Sequence, residues 1–130
     1  MKLIKSIVRP HKVDDVREAL ERLNIAGMTV TDVRGHGRQK GHTAVYRGKE
    51  YSVTLLPKIM IELVLPDDRV EETLKTIITT ARTGEIGDGR IFILPIEHGY
   101  NIRTGERDNA ALTPITADSV QRHALEATHT

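Results

Sequence analysis

No cysteine occurs among the 130 residues. That absence excludes a disulfide framework, a thiolate nucleophile, and zinc or iron-sulfur sites built on cysteine. Tryptophan is also missing, and the aromatic residues amount to one phenylalanine and three tyrosines. Charge of one sign is lacking too: 19 basic side chains face 18 acidic ones, for a net charge of +1. Such a balance argues against a surface built for nucleic acid or anionic lipid. No apolar run approaches membrane-spanning length, and Met1-Lys2-Leu3-Ile4-Lys5 has no apolar leader core, so a cytoplasmic location is expected. With 38% hydrophobic and 28% charged residues, the chain reads as one soluble, folded domain with a core of its own.

What is present repeats one unit twice. Leu3 to Val8 is a short apolar run stopped by Arg9-Pro10, which reads as a strand. From Val13 to Asn24 the positions Val13, Val16, Ala19, Leu20 and Leu23 share one helical face, and Asn24 and Gly27 can end the helix. Met28 to Val33 is a second strand, and Lys58 to Leu65, stopped by Pro66, is the strongest strand signal. Asp67 or Asp68 is placed to cap a second helix whose stripe is Val70, Leu74, Ile77, Ile78 and Ala81, running to Arg82. Arg90 to Leu94 completes the set. The expected fold is α+β: a ferredoxin-like βαββαβ arrangement with an antiparallel sheet and both helices on one face. In the third strand Ile59, Ile61, Leu63 and Leu65 alternate with Met60, Glu62 and Val64, so both faces are largely apolar. Helices cover one face, and copies of the same chain are the simplest cover for the other.

Residues 36–57, HGRQKGHTAVYRGKEYSVTLLP, separate strands two and three. A connection of this length without regular structure is usually functional or disordered. It holds Tyr46 and Tyr51, half of the aromatic residues, among Arg38, Lys40, Arg47 and Lys49, with Lys58 just beyond. Aromatic residues placed in a basic loop point to a surface that meets partners. Two glycine-rich stretches, Gly35 to Gly41 and Thr83 to Arg90, are candidates for phosphate binding, since glycine lets main-chain amides approach an anion. Taken singly, each reads as a plain turn before it reads as a site, and neither matches a dinucleotide fingerprint or a P-loop. One follows the second strand and the other precedes the fourth, which places both at one end of the sheet. Arg103-Thr104-Gly105 is a third basic element.

The phrases VDDVREAL (13–20), GHGRQKGHT (35–43), YRGKEY (46–51), LPK (56–58), ARTGEIGDGRIF (81–92) and IRTGE (102–106) resemble the PII family of nitrogen-regulatory signal-transduction proteins. The likeness runs from Met1 to about Leu112, with residues 36–57 as the T-loop and 113–130 as a mobile tail extension. It implies a homotrimer that binds ATP or ADP in clefts between subunits. Ile7, Thr29, Glu62 and Val64 would surround the adenine, and Gly37, Arg38, Gly87, Asp88, Gly89, Arg90 and Arg103 would meet ribose and phosphates. Gln39 would hold Mg2+ bridging ATP to 2-oxoglutarate, an amide oxygen being a hard ligand suited to that metal. The 2-oxoglutarate carboxylates would meet Arg9, Lys58 and the turn Gly37, Gln39, Lys40, Gly41, together with Gly87. The matching tyrosine is uridylylated in some bacterial members, so Tyr51 is a modification candidate, or an unmodified contact residue.

The resemblance implies a regulator rather than an enzyme. Its T-loop would change shape with the bound nucleotide and 2-oxoglutarate, and so select ammonium channels, nitrogen-control enzymes or kinases. Departures are specific: Asn101 stands where many relatives carry arginine, and His36 where an aromatic residue is frequent. Asn101 keeps open an adenylate-charge sensor without a 2-oxoglutarate response, acting on another transporter or a carbon-related target. A nucleotide-using phosphotransferase would need a nucleophile or base beside the phosphates, and only His36 stands in either glycine turn. The histidines show no paired ligand spacing, so a metal site built on them is not expected.

Overall fold

The computed structural model describes residues 1–36, 43–46, 49–52 and 55–112. Four strands, β1 (Lys2–Val8), β2 (Thr29–Gly35), β5 (Leu56–Leu65) and β6 (Gly89–Pro95), form one sheet in the order β2-β5-β1-β6. Every neighbouring pair is antiparallel, with Ile7 opposite Met60 and Arg90, and Val33 opposite Lys58. Helices α1 (Val13–Arg22) and α2 (Val70–Ala81) pack side by side. They bury one face of the sheet, as the repeated strand-helix-strand pattern predicts.

Alternation decides which face is covered. Ile4, Ser6 and Val8 of β1 and Ile61, Leu63 and Leu65 of β5 are buried with Val16, Leu20, Ile77 and Ala81 of the helices. The intervening Leu3, Ile7, Met60 and Val64 are only half-buried, and Phe92 and Leu94 of edge strand β6 are exposed. The open face thus keeps the apolar character that its sequence predicts.

Helix α1 stops two residues before the expected Asn24. Asn24 instead takes the left-handed region at φ 58, while its amide bonds Glu21 O and the amide of Ile25 bonds Leu20 O. These paired backward bonds satisfy carbonyls that the helix end would leave open. Capping of α2 differs from expectation. A 3₁₀ turn, Asp67–Arg69, precedes the helix, and neither aspartate caps it. Asp67 is drawn away by the Met1 ammonium at 2.6 Å.

The long connection is not uniformly irregular. Within it β3 (Thr43–Tyr46) pairs antiparallel with β4 (Lys49–Ser52), Ala44 opposite Tyr51. Threonine, valine and tyrosine favour such a ribbon, and only two residues separate the strands in sequence, the spacing of a tight hairpin. The sheet also reaches further than expected: β2 continues to Gly35 and β5 begins at Leu56, which are register partners. A one-turn helix, α3 (Asn109–Leu112), ends the described chain, and the tail 113–130 lies outside the described residues. Among the described residues no helix is long and apolar enough to cross a membrane.

Two buried hydroxyls escape the apolar pattern. Thr73 satisfies its Oγ1 on the carbonyl of Arg69 at 2.7 Å. Ser6, fully buried in central strand β1, has no partner for its Oγ among the described residues. A desolvated hydroxyl without a hydrogen bond costs about 1–3 kcal/mol. Ser6→Ala is therefore expected to stabilise the fold by about 1 kcal/mol, seen as a higher urea midpoint at unchanged slope. A lower midpoint would show that the hydroxyl has a partner in solution.

Candidate functional site

The four strand ends Val8, Gly35, Leu56 and Gly89 lie at one end of the sheet, because Val8 pairs with Ile59 and Gly89, and Gly35 with Leu56. Both glycine-rich stretches start or finish there, as their positions in the sequence predict. The second is organised around Asp88. Its Oδ2 accepts the amides of Thr83 and Gly84, each at 2.9 Å, and its Oδ1 accepts the Thr83 hydroxyl and Arg9 Nε at 3.1 Å. Burial works to raise the Asp88 carboxyl, but the Thr83, Gly84 and Arg9 donors outweigh it and hold the group well below the usual carboxylate range. The carboxylate is committed to its own turn. Gly84 and Gly87, at φ 89 and 102, supply left-handed bends that side-chain-bearing residues rarely adopt.

Two cations close the arrangement. Arg9 and Lys58 are 7% and 8% exposed. Arg9 Nη2 donates to the carbonyl of Ile86 at 2.9 Å, and Lys58 Nζ to that of Gly87. Burial, and then the neighbouring charge of Arg9, lower the Lys58 pKa, with Asp88 opposing them. A lysine and an arginine brought together out of water, against a single carboxylate already surrounded by donors, form a strong local demand for an anion.

The remaining candidates divide between two clefts with no shared residue. Ile7, Asp88, Gly89 and Arg90 line a cavity of about 340 Å³ beside α2. Thr29, Glu62 and Val64 line another of about 680 Å³, whose wall includes Asn101 and Leu112. Arg103 lines neither cleft; it is exposed, two residues beyond Asn101 in the chain. Among the described residues, therefore, the proposed nucleotide contacts are not gathered into one pocket. Gly37, Arg38, Gln39, Lys40 and Gly41 lie outside the described residues, and Tyr51 falls in β4. Among the described residues no group of His, Asp and Glu is arranged to hold a metal.

Sequence reasoning missed donors and acceptors that shape this end. Thr83 was visible only as the start of a glycine-rich run, and the carbonyls of Ile86 and Gly87 carry no side-chain signal at all. Asn101 was legible as a departure but not as a turn residue.

The family model of the nitrogen regulatory protein P-II matches residues 1–106. The chain belongs to the P-II family. Over 112 residues, 86% of this chain and the whole of each relative, it is 58% identical to nitrogen regulatory protein P-II 1 of Escherichia coli strain K12 and 57% identical to the P-II protein of Klebsiella oxytoca. Against the P-II protein of Haemophilus influenzae the identity is 53% over the same extent. These P-II relatives are named as regulators, not enzymes, and a signal-transduction role in nitrogen regulation follows for this chain.

Proposed function

We infer that this protein senses ATP, ADP and 2-oxoglutarate and transmits the result to nitrogen-metabolism targets through its T-loop, residues 36–57. The observation that carries the reading is the buried pair Arg9 and Lys58, turned onto the carbonyls of Ile86 and Gly87. A dicarboxylate placed there would give both cations an anionic partner in place of neutral carbonyls, a charge-assisted exchange stronger than the bonds it replaces. Binding would release the 86–87 segment from Lys58 and alter the neighbouring base of the T-loop, where Lys58 packs within 3.2 Å of a Cβ built on Gly35. Gln39 is the proposed Mg2+ ligand beside Arg38, and the metal would join the ATP phosphates to 2-oxoglutarate.

The division of the nucleotide residues between two clefts supports a site completed by a neighbouring copy. The half-exposed apolar face bearing Leu3, Ile7, Met60, Val64, Phe92 and Leu94 supports the homotrimer that would bring those clefts together. Ammonium channels, nitrogen-control enzymes and kinases are the partner classes proposed for the T-loop.

Calorimetric titration with ATP, with ADP, and with 2-oxoglutarate in the presence and absence of MgATP tests the reading, with light scattering on the same sample. Expected are a trimer mass, binding of both nucleotides, and 2-oxoglutarate binding only with MgATP. Lys58→Gln should weaken 2-oxoglutarate at least tenfold, the loss of one charged hydrogen bond, while leaving ADP within twofold. Nucleotide binding without any 2-oxoglutarate response would instead favour the adenylate-charge sensor, for which the neutral Asn101 in the larger cleft is the supporting observation. A monomer mass would remove the trimer from the proposal.

A further inference from the structure

Arg103 sits in the short turn between Tyr100 and Arg107, which pair as an isolated antiparallel bridge. Its neighbour Ile102 is fully exposed, and Gly105 takes a left-handed φ of 73. Order comes from Asn101. Its side-chain Oδ1 accepts the main-chain amides of Arg103 at 2.9 Å and Thr104 at 3.2 Å. Its own amide donates to the carbonyl of Glu106, and its carbonyl accepts the amide of Gly105, both at 2.8 Å. Four hydrogen bonds thus converge on one residue of a six-residue turn. The same Asn101 lines the larger cleft with Thr29, Glu62 and Val64.

The chemistry of the side chain is specific. An asparagine oxygen can accept the amide two residues on and mimic a backbone turn, whereas arginine has donors only and cannot. A neutral residue at 101 therefore contributes no charge to the cleft but fixes the backbone that carries the charge at 103. Ordering that backbone before a ligand arrives removes a conformational cost from binding.

We propose that Asn101 is a positioning residue for nucleotide binding: it folds the 101–106 turn that presents Arg103 to the nucleotide phosphates. The proposal rests on the reading of Arg103 as a phosphate contact, and a double-mutant cycle keeps the two apart. ATP titrations compare the full-length protein with Asn101→Ala, Arg103→Gln and the double variant. Arg103→Gln should weaken ATP roughly tenfold, the scale of one charge-assisted hydrogen bond. Asn101→Ala should weaken it in the same direction, and the double variant should be no weaker than Arg103→Gln alone. In parallel, amide exchange at Arg103 and Thr104 should quicken in Asn101→Ala but stay slow in Asn101→Asp, which keeps the acceptor oxygen. Wild-type affinity in Asn101→Ala beside a weakened Arg103→Gln would overturn the positioning role alone. So would losses that multiply in the double variant. Unchanged binding in Arg103→Gln would overturn the phosphate reading, and this inference with it.

Discussion

Gly89→Ala is expected to destabilise the protein by on the order of 3–5 kcal/mol, combining left-handed strain with overpacking. A Cβ built on Gly89 falls 1.7 Å from the carbonyl oxygen of Ile7 and 2.8 Å from its carbonyl carbon. Both atoms belong to β1, a central strand paired on one side to β5 and on the other to β6. No side-chain rotation relieves such a contact, because the obstruction is main chain held in two ladders. The backbone at Gly89 adds strain of its own, at φ 108. Gly27→Ala provides the comparison: φ is 82 there, but nothing lies within 4 Å of the added methyl. It should cost only about 1–3 kcal/mol, the strain without the collision. Denaturant unfolding of both variants at one protein concentration separates the two effects. Equal losses would show that β1 and β6 move apart cheaply. A nucleotide-binding defect in Gly89→Ala would then report a displaced strand end and not a lost ligand contact.

The comparison of these glycines also shows what the sequence could disclose. Gly87 and Gly89 stand in a run that reads as either a turn or an anion cradle. Nothing in that run shows that the methyl of alanine at 89 would strike Ile7, because the collision depends on bringing together two strands that lie far apart in the chain. Local pattern, by contrast, was sufficient for the elements themselves. The helical stripes at Val16-Leu20 and Ile77-Ala81 mark the buried sides of the helices, whereas the alternation in Ile59 to Leu65 leaves both faces of the strand apolar and does not say which one the helices cover. Ile78 belongs to the second stripe by spacing yet is 40% exposed, while Thr73 is fully buried. Threonine can take a helix interior because its hydroxyl bonds back to the preceding turn. The hairpin from Thr43 to Ser52 was hidden by the charged residues around it, although its threonine, valine and tyrosines carry strand propensity. Arg9 and Lys58 could be named as anion ligands from the family resemblance alone. Their burial, and the carbonyls that occupy them, belong to tertiary structure.

Asp88→Asn should lower stability by about 2–3 kcal/mol at neutral pH, the scale of hydrogen bonds made to a charged group. Asp88 is an acceptor to four donors: two amides, the Thr83 hydroxyl and Arg9 Nε. An asparagine carboxamide offers one acceptor oxygen and one donating nitrogen. With the nitrogen placed toward Thr83 and Gly84, it opposes two amides; with it placed toward Arg9, it opposes a guanidinium only 7% exposed and left without its carboxylate. Either orientation is unfavourable. The pH dependence has a definite sign. The folded-state pKa of Asp88 lies well below the ordinary value of an aspartate, so the native carboxylate stays ionised where the unfolded chain takes up a proton. Its contribution is full above that unfolded value and is lost as pH falls below it toward the folded pKa. The variant lacks the contribution at every pH. The stability gap between the two proteins should therefore be constant from neutral pH down to about 5 and narrow below about 4, where the unfolded aspartate protonates. Urea unfolding at stepped pH measures it, and a gap that stays constant down to pH 3 would mean that the ionised carboxylate is not what holds the 83–88 turn. Because the same carboxylate anchors Arg9, the native position of that guanidinium would be lost together with the turn. Asp88 would then shape the proposed 2-oxoglutarate site without touching its ligand, through the one cation it holds in place.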